Sequence, residues 1–238
     1  MNSPVRYELD NTVGTVTLDD GRANALSPSL QRHIGAALDA AEQDASKAVV
    51  IAGNEKLFCG GFDLSVFAAG DTMATLDMLT GGFNLSVRLL TFGKPIIIAA
   101  TVPAIAMGAF LLLSGDHRVG SARTRCQANE VAIGMTLPVS AIEIMRMRLT
   151  PAAFQRGVAM AESFSGDDAI AAGWLDEIVS PEEVLSRAQA VAGEAASLDV
   201  RAHLGSKRRA RESAVRAILA GMDGLAAELD DILASRAQ

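Results

Sequence analysis

Glu130 is the only charged residue between Cys126 and Ile142. A carboxylate among apolar neighbours is poorly solvated, its pKa rises, and it can then carry a proton near neutrality. Such chemistry needs donors where negative charge develops, and two stretches could supply them. In Leu57-Phe58-Cys59-Gly60-Gly61-Phe62-Asp63-Leu64 two adjacent glycines follow a strand-like segment. They permit unusual backbone angles and close ligand approach, leaving the Phe62 N–H free to point outward. In the second, a strand-like run ends near Thr101 and a helix starts near Gly108. The first N–H groups of a helix have no partners inside it, and its dipole favours negative charge, so a thioester or carboxyl oxygen could bind there. Each feature also has an ordinary alternative: a surface glutamate, a plain turn, and a helix start of a kind common to α/β proteins.

The elements that must position these groups follow from pattern. Val5, Tyr7 and Leu9 alternate, Asp10-Asn11 can turn, and Val16 and Leu18 alternate on the return, which predicts a hairpin. Ser27-Pro28 predicts a helix start, with Leu30, Ile34 and Leu38 forming its apolar stripe. Residues 47–53 and 96–101 read as buried strands, 72–91 as a helix weakened at Gly81-Gly82, 108–114 as a buried helix, and 117–121 as a further strand. Strand and helix alternate up to residue 138, which predicts an α/β unit with strands buried on both faces. Beyond it the segments 138–149, 151–162, 167–172, 181–197 and 200–235 read as helices. The expected division is a core over 1–190 and a helical C-terminal region over 191–238.

The 238 residues are half hydrophobic and 21% charged, enough for a sizeable core. A net charge of −7 argues against general affinity for nucleic acid. Lys207, Arg208, Arg209 and Arg211 form a local basic cluster, either a solvated helix face or an anion contact. Cys59 and Cys126 have no paired spacing, and His33, His117 and His203 fit no metal-ligand pattern. Pro95 to Gly115 carries no charge, yet its prolines and its three consecutive isoleucines favour strand, turn and buried helix over a membrane span. The opening MNSPVRYELDN lacks a basic patch followed by an apolar run, so the expected compartment is the cytoplasm.

Five segments, in order, resemble the crotonase family, also called the enoyl-CoA hydratase/isomerase superfamily. RANALS (22–27) is similar to its early motif, LFCGGFDLS to F-x-A-G-x-D-L, and KPIIIAATVPAIAMG to K-P-x-I-A-A-V-N-G-P-A-x-G-G-G. GDHRVGS is similar to C-D-x-R-I-A-S, and NEVAIGMTLP to P-E-V-x-x-G-L-x-P. The resemblance spans about residues 5 to 220. It implies a spiral of ββα repeats with a helical C-terminal trimerisation region, as a homotrimer or dimer of trimers. It also implies acyl-CoA thioesters as ligands, with coenzyme A part of the substrate and no metal or redox cofactor. Carried over residue by residue, the oxyanion donors are the N–H groups of Phe62 and Met107. The CoA-contacting positions are Arg22, Ala23, Ala25, Gly60, Gly61, Asp63 and Leu64, with Lys207 a candidate for the CoA phosphates. Gly108, Phe110 and Leu137 fall at the pocket.

Family hydratases use two glutamates. The second is retained as Glu130, but the first falls on Phe110, which cannot titrate. Adding water across a double bond needs one group to activate water and another to deliver a proton. Moving a double bond from C3 to C2 needs a single base that removes a proton at C2 and returns it at C4. The expected activity is therefore enoyl-CoA isomerisation with Glu130 as shuttle, ahead of hydration or of acyl-CoA binding without catalysis. Further departures are Met107 at a glycine position, one extra residue between Glu130 and Pro138, and Val139-Ser140-Ala141-Ile142 where the family has G-x-G-G. Acyl chain length depends on the packing of residues 66–90, which pattern does not give.

Overall fold

The computed structural model describes residues 3–229. Its main sheet has six strands in the order β1-β2-β3-β4-β6-β8. The hairpin of β1 (Val5–Asp10) and β2 (Val13–Leu18) forms one antiparallel edge. Parallel pairing then links β2 to β3 (Ala48–Ala52), β4 (Ile96–Ala100), β6 (His117–Gly120) and β8 (Glu177–Ile178). A second, two-stranded layer pairs β5 (Ala104–Ile105) with β7 (Cys126–Gln127). Cys59 bridges to Ala104 on one side of that layer, and Phe164 to Cys126 on the other.

Every residue of β3 and β4 is buried, because both faces of the sheet are covered. Side chains alternate along a strand, so the two faces feed two cores. Val49, Ile51, Ile96, Ile98 and Ala100 join the main core. Ala48, Val50, Ala52, Ile97, Ala99 and Val119 meet Val184, Ala188 and Ala192 of α8 (Val184–Ala195). The expected boundary at residue 190 therefore falls inside a helix that packs on the sheet.

Helix α1 (Pro28–Gln43) starts as its sequence predicts: the Ser27 side chain accepts the Leu30 N–H, and Pro28 takes a first-turn position. The short α2 (Leu64–Ala68) precedes α3 (Thr72–Thr91), which runs unbroken through Gly81-Gly82. These glycines are contact points rather than a weak point. A side chain on Gly82 would strike the Phe62 ring, and one on Gly81 the Gln31 amide. The buried α4 (Met107–Leu113) follows β5.

Helices α5 (Val139–Arg148), α6 (Pro151–Met160) and α7 (Gly166–Ala172) then lead to β8 and α8. The last long helix, α9 (Val200–Asp223), stops at Gly224, and residues 225–229 are helical again. It folds back on α3 and α5 of its own chain. The remainder of the expected 200–235 helix, and of the 191–238 region, lies outside the described residues. No helix among the described residues is long and apolar enough to cross a membrane.

Candidate active site

Three loops leave the carboxyl ends of β3, β4 and β7 and meet. The first, after β3, carries Gly60, Gly61 and Phe62. Gly61 has φ +94°, and a Cβ there would lie 2.9 Å from Ala106 Cβ and 3.6 Å from Met107 N. The loop after β4 reaches this point as β5, whose Ile105 N–H donates to Cys59 O at 3.1 Å. Ala106 then turns the chain into α4 with φ 51° and ψ −126°, a conformation that favours glycine. Gly108 packs so closely on the Cys59 carbonyl that no side chain fits. The Phe62 and Met107 N–H groups thus come to neighbouring positions, and neither donates a hydrogen bond among the described residues.

Residues 22–26 lie along the first loop. Gly60 N–H donates to Ala23 O at 2.9 Å, and Leu26 N–H to Gly61 O at 2.7 Å. Between them, Asn24 is fully buried with φ 48°; its amide donates to the Leu18, Leu57 and Phe58 carbonyls. Arg22 is exposed and Ala23 and Ala25 are half-buried. The Asp63 carboxylate caps α2, accepting the Ser65 N–H and hydroxyl.

The third loop brings Asn129 and Glu130 to a partly open cavity of about 100 Å³. Glu130 is only 8% exposed, and Oε2 of Glu130 and Oδ1 of Asn129 are buried without a partner among the described residues. Burial pushes the Glu130 carboxyl up to about 7, and a backbone hydrogen bond offsets part of that rise. Phe62, Phe67, Leu79, Phe83 and Phe110 form the apolar wall, and among the described residues Glu130 is the sole titratable side chain in it. The extra residue between Glu130 and Pro138 is taken up by a 3-10 turn at Val131–Ile133 and left-handed Gly134. Met135 and Pro138 reach the cavity, whereas Leu137 lies with Ile142 and Val158 along a separate surface groove. Leu137 and Gly108 therefore support the site without lining it. A larger open depression of about 800 Å³ crosses the ends of β2, β3 and β4, but the buried, unpartnered acid lies elsewhere.

Lys207 does not come to this cavity. It is buried, and its Nζ donates to Asp116 Oδ2 at 2.7 Å. Arg211 pairs with the other oxygen of Asp116 at 2.8 Å. The basic cluster thus splits: two cations turn inward onto one carboxylate, while Arg208 and Arg209 stay exposed. Lys207 and Arg211 are engaged by Asp116, and only Arg208 and Arg209 of the cluster face outward.

Sequence reasoning missed Asn129, Ala106 and the wall formed by Phe67, Leu79, Phe83, Ile133, Met135 and Pro138. Asn129 carries a signal in hindsight, because it stands where the resembled motif has proline. The substitution Gly61→Ala tests the close approach of the first two loops. It forces a side chain into a left-handed conformation against Ala106, and should cost about 1–3 kcal/mol in urea denaturation.

Similarities to known proteins converge. A family model for enoyl-CoA hydratase/isomerase matches residues 8–222. The structure of an enoyl-CoA hydratase from Mycobacterium ulcerans is 52% identical, with a TM-score of 0.93 over 95% of this chain and 99% of that one. A Mycobacterium tuberculosis protein is described in one structure as a probable enoyl-CoA hydratase, 47% identical with a TM-score of 0.96 over 99% of this chain and 100% of that one. In another structure it is described as an enoyl-CoA isomerase, 49% identical with a TM-score of 0.93 over 96% and 100% of the two chains. The 2,3-dehydroadipyl-CoA hydratase of Escherichia coli is 28% identical over 84% of this chain and 78% of its own length.

Proposed function

Since the chain belongs to the enoyl-CoA hydratase/isomerase family, we propose that it shifts the double bond of an enoyl-CoA from C3 to C2. The observation that supports this reading is the solitary acid: among the described residues Glu130 is the one titratable side chain on the cavity wall, and Phe110, which the resemblance aligns with the family's other glutamate, lines the same wall. Ionised Glu130 takes a proton from C2, and the electron pair moves onto the thioester oxygen as a dienolate. The Phe62 and Met107 N–H groups hold that oxygen. The neutral Glu130 acid then returns the proton at C4, and the double bond settles between C2 and C3. The base is regenerated, so no second acid is needed. Apolar walls keep water away from the dienolate and strengthen each remaining polar contact. The residues 22–25 and Gly60 form the ledge for the CoA moiety in this scheme.

A second reading, hydration of 2-enoyl-CoA, rests on Asn129. Its unpartnered Oδ1 on the same cavity wall as Glu130 could seat an attacking water. Offering the purified protein 3-enoyl-CoA and 2-enoyl-CoA separates the two. Isomerisation should exceed hydration at least tenfold in kcat/KM; faster hydration reverses the order. Turnover of neither substrate, with binding retained, leaves an acyl-CoA-binding protein. The homotrimer or dimer of trimers implied by the resemblance belongs to the same proposal, and light scattering tests it.

A further inference from the structure

We propose that Phe83 and Phe110 close the acyl cavity at about four carbons, so that the protein takes short-chain acyl-CoA thioesters and rejects long ones. This rests on the acyl-CoA reading above and adds its substrate class. The first observation is size. The cavity holds about 100 Å³. A cavity of about 150 Å³ takes a six-carbon ring, so this one takes about four carbons.

The second observation is direction. Leu64 and Ile133 on the cavity wall are 67% and 50% exposed, so the cavity opens on their side. Phe83 and Phe110 are fully buried members of the main core, so they form its floor. A third is rigidity. The Phe83 and Phe110 rings stack with centroids 6.5 Å apart, and Phe62 meets Phe83 edge-on at 6.2 Å. The Phe62 ring in turn rests on Gly82, with no gap for even a Cβ. Leu79, Gly82 and Phe83 all sit on α3, which is held from outside by α1 and α9. A longer chain would have to displace packed rings whose helix has nowhere to retreat.

An open pocket and a closed one give opposite trends. If each added methylene were buried, affinity would climb about fourfold per methylene. With a closed floor it rises to four carbons and then falls. Calorimetric affinities for butyryl-, hexanoyl- and decanoyl-CoA, which carry no double bond to shift, read this without turnover. Butyryl-CoA should bind at least tenfold more tightly than decanoyl-CoA. Phe83→Ala should raise the affinity for decanoyl-CoA relative to that for butyryl-CoA at least tenfold, by removing the floor that the longer chain meets. Leu79→Ala, on the same wall, is the second variant if Phe83→Ala does not fold. Wild-type affinity that climbs steadily, or stays level, from four to ten carbons overturns the proposal. Short-chain preference without isomerase turnover overturns only the isomerase reading, whereas failure to bind any acyl-CoA overturns both.

Discussion

Glu130→Gln should lower isomerisation of a 3-enoyl-CoA by about 10²–10⁴-fold, the usual contribution of a positioned proton carrier. Acyl-CoA affinity should change by less than about threefold, because the amide keeps the shape of the carboxyl and the N–H donors are untouched. In the wild type the base must be ionised to begin, so kcat/KM should rise with pH through about 7 and level off above it. That limb should vanish in the variant. Undiminished turnover by Glu130→Gln would remove the shuttle from the mechanism.

The same substitution should strengthen the fold, and the sign follows from linkage. Glu130 titrates near 7 when folded and near 4.5 when exposed. Between those values the folded state binds more protons, so stability falls as pH rises. Above about 7 the full cost is present, about 3 kcal/mol at 1.36 kcal/mol per unit. Glu130→Gln should therefore be more stable than wild type by up to that amount at pH 8 and no more stable at pH 4. Urea midpoints at the two pH values check it.

Asp116→Asn should be the most damaging single change to the fold. Asp116 Oδ2 accepts the Lys207 ammonium and the Ile96 N–H, both at 2.7 Å, while Oδ1 meets Arg211. Removing its charge leaves two inward-facing cations uncompensated, a loss of about 3–5 kcal/mol from a total of about 5–15. Lys207→Met should be nearly neutral or stabilising at pH 7, because Asp116 keeps Arg211 and the methionine fills the space. Burial holds the Lys207 ammonium down at about 8, against 10.5 when exposed. Here the folded state binds fewer protons between those values, so this cost is full below about 8 and relieved as pH rises toward 10.5. Wild-type stability should gain through this group over that range, and Lys207→Met should lack that gain. Equal losses for Asp116→Asn and Lys207→Met would contradict the asymmetry.

The backbone of this architecture was legible because its strands and caps are local signals. Ser27-Pro28 is a start signal wherever it docks, and the alternation in Val5–Leu18 needs no distant partner. The buried acid Glu130 was legible too, as a lone charge in an apolar stretch. What sequence could not show is what stands opposite. Gly81-Gly82 looks like a breach in a helix until Phe62 and Gln31 are seen pressed against it. Lys207 looks like a surface cation until Asp116, 91 residues earlier, is seen beneath it. Phe83 has the same spacing as any core residue of α3, and only the path of the Gly60–Phe62 loop makes it a cavity floor. Leu137 fails for a related reason: a one-residue insertion changes which side chain faces inward, and that depends on how the extra residue is coiled. The two-residue strands β5, β7 and β8 are too short for any periodicity to register.

The bond from Asp116 to Ile96 N–H joins the first residue of β4 to the same carboxylate that holds α9. Lifting α9 away at Lys207 and Arg211 would strand that carboxylate, so opening of this part of α9 is coupled to the start of β4. In native-state hydrogen exchange, amides of α9 around Lys207 should then open in the same cooperative step as Ile96, rather than earlier as a chain end ordinarily would.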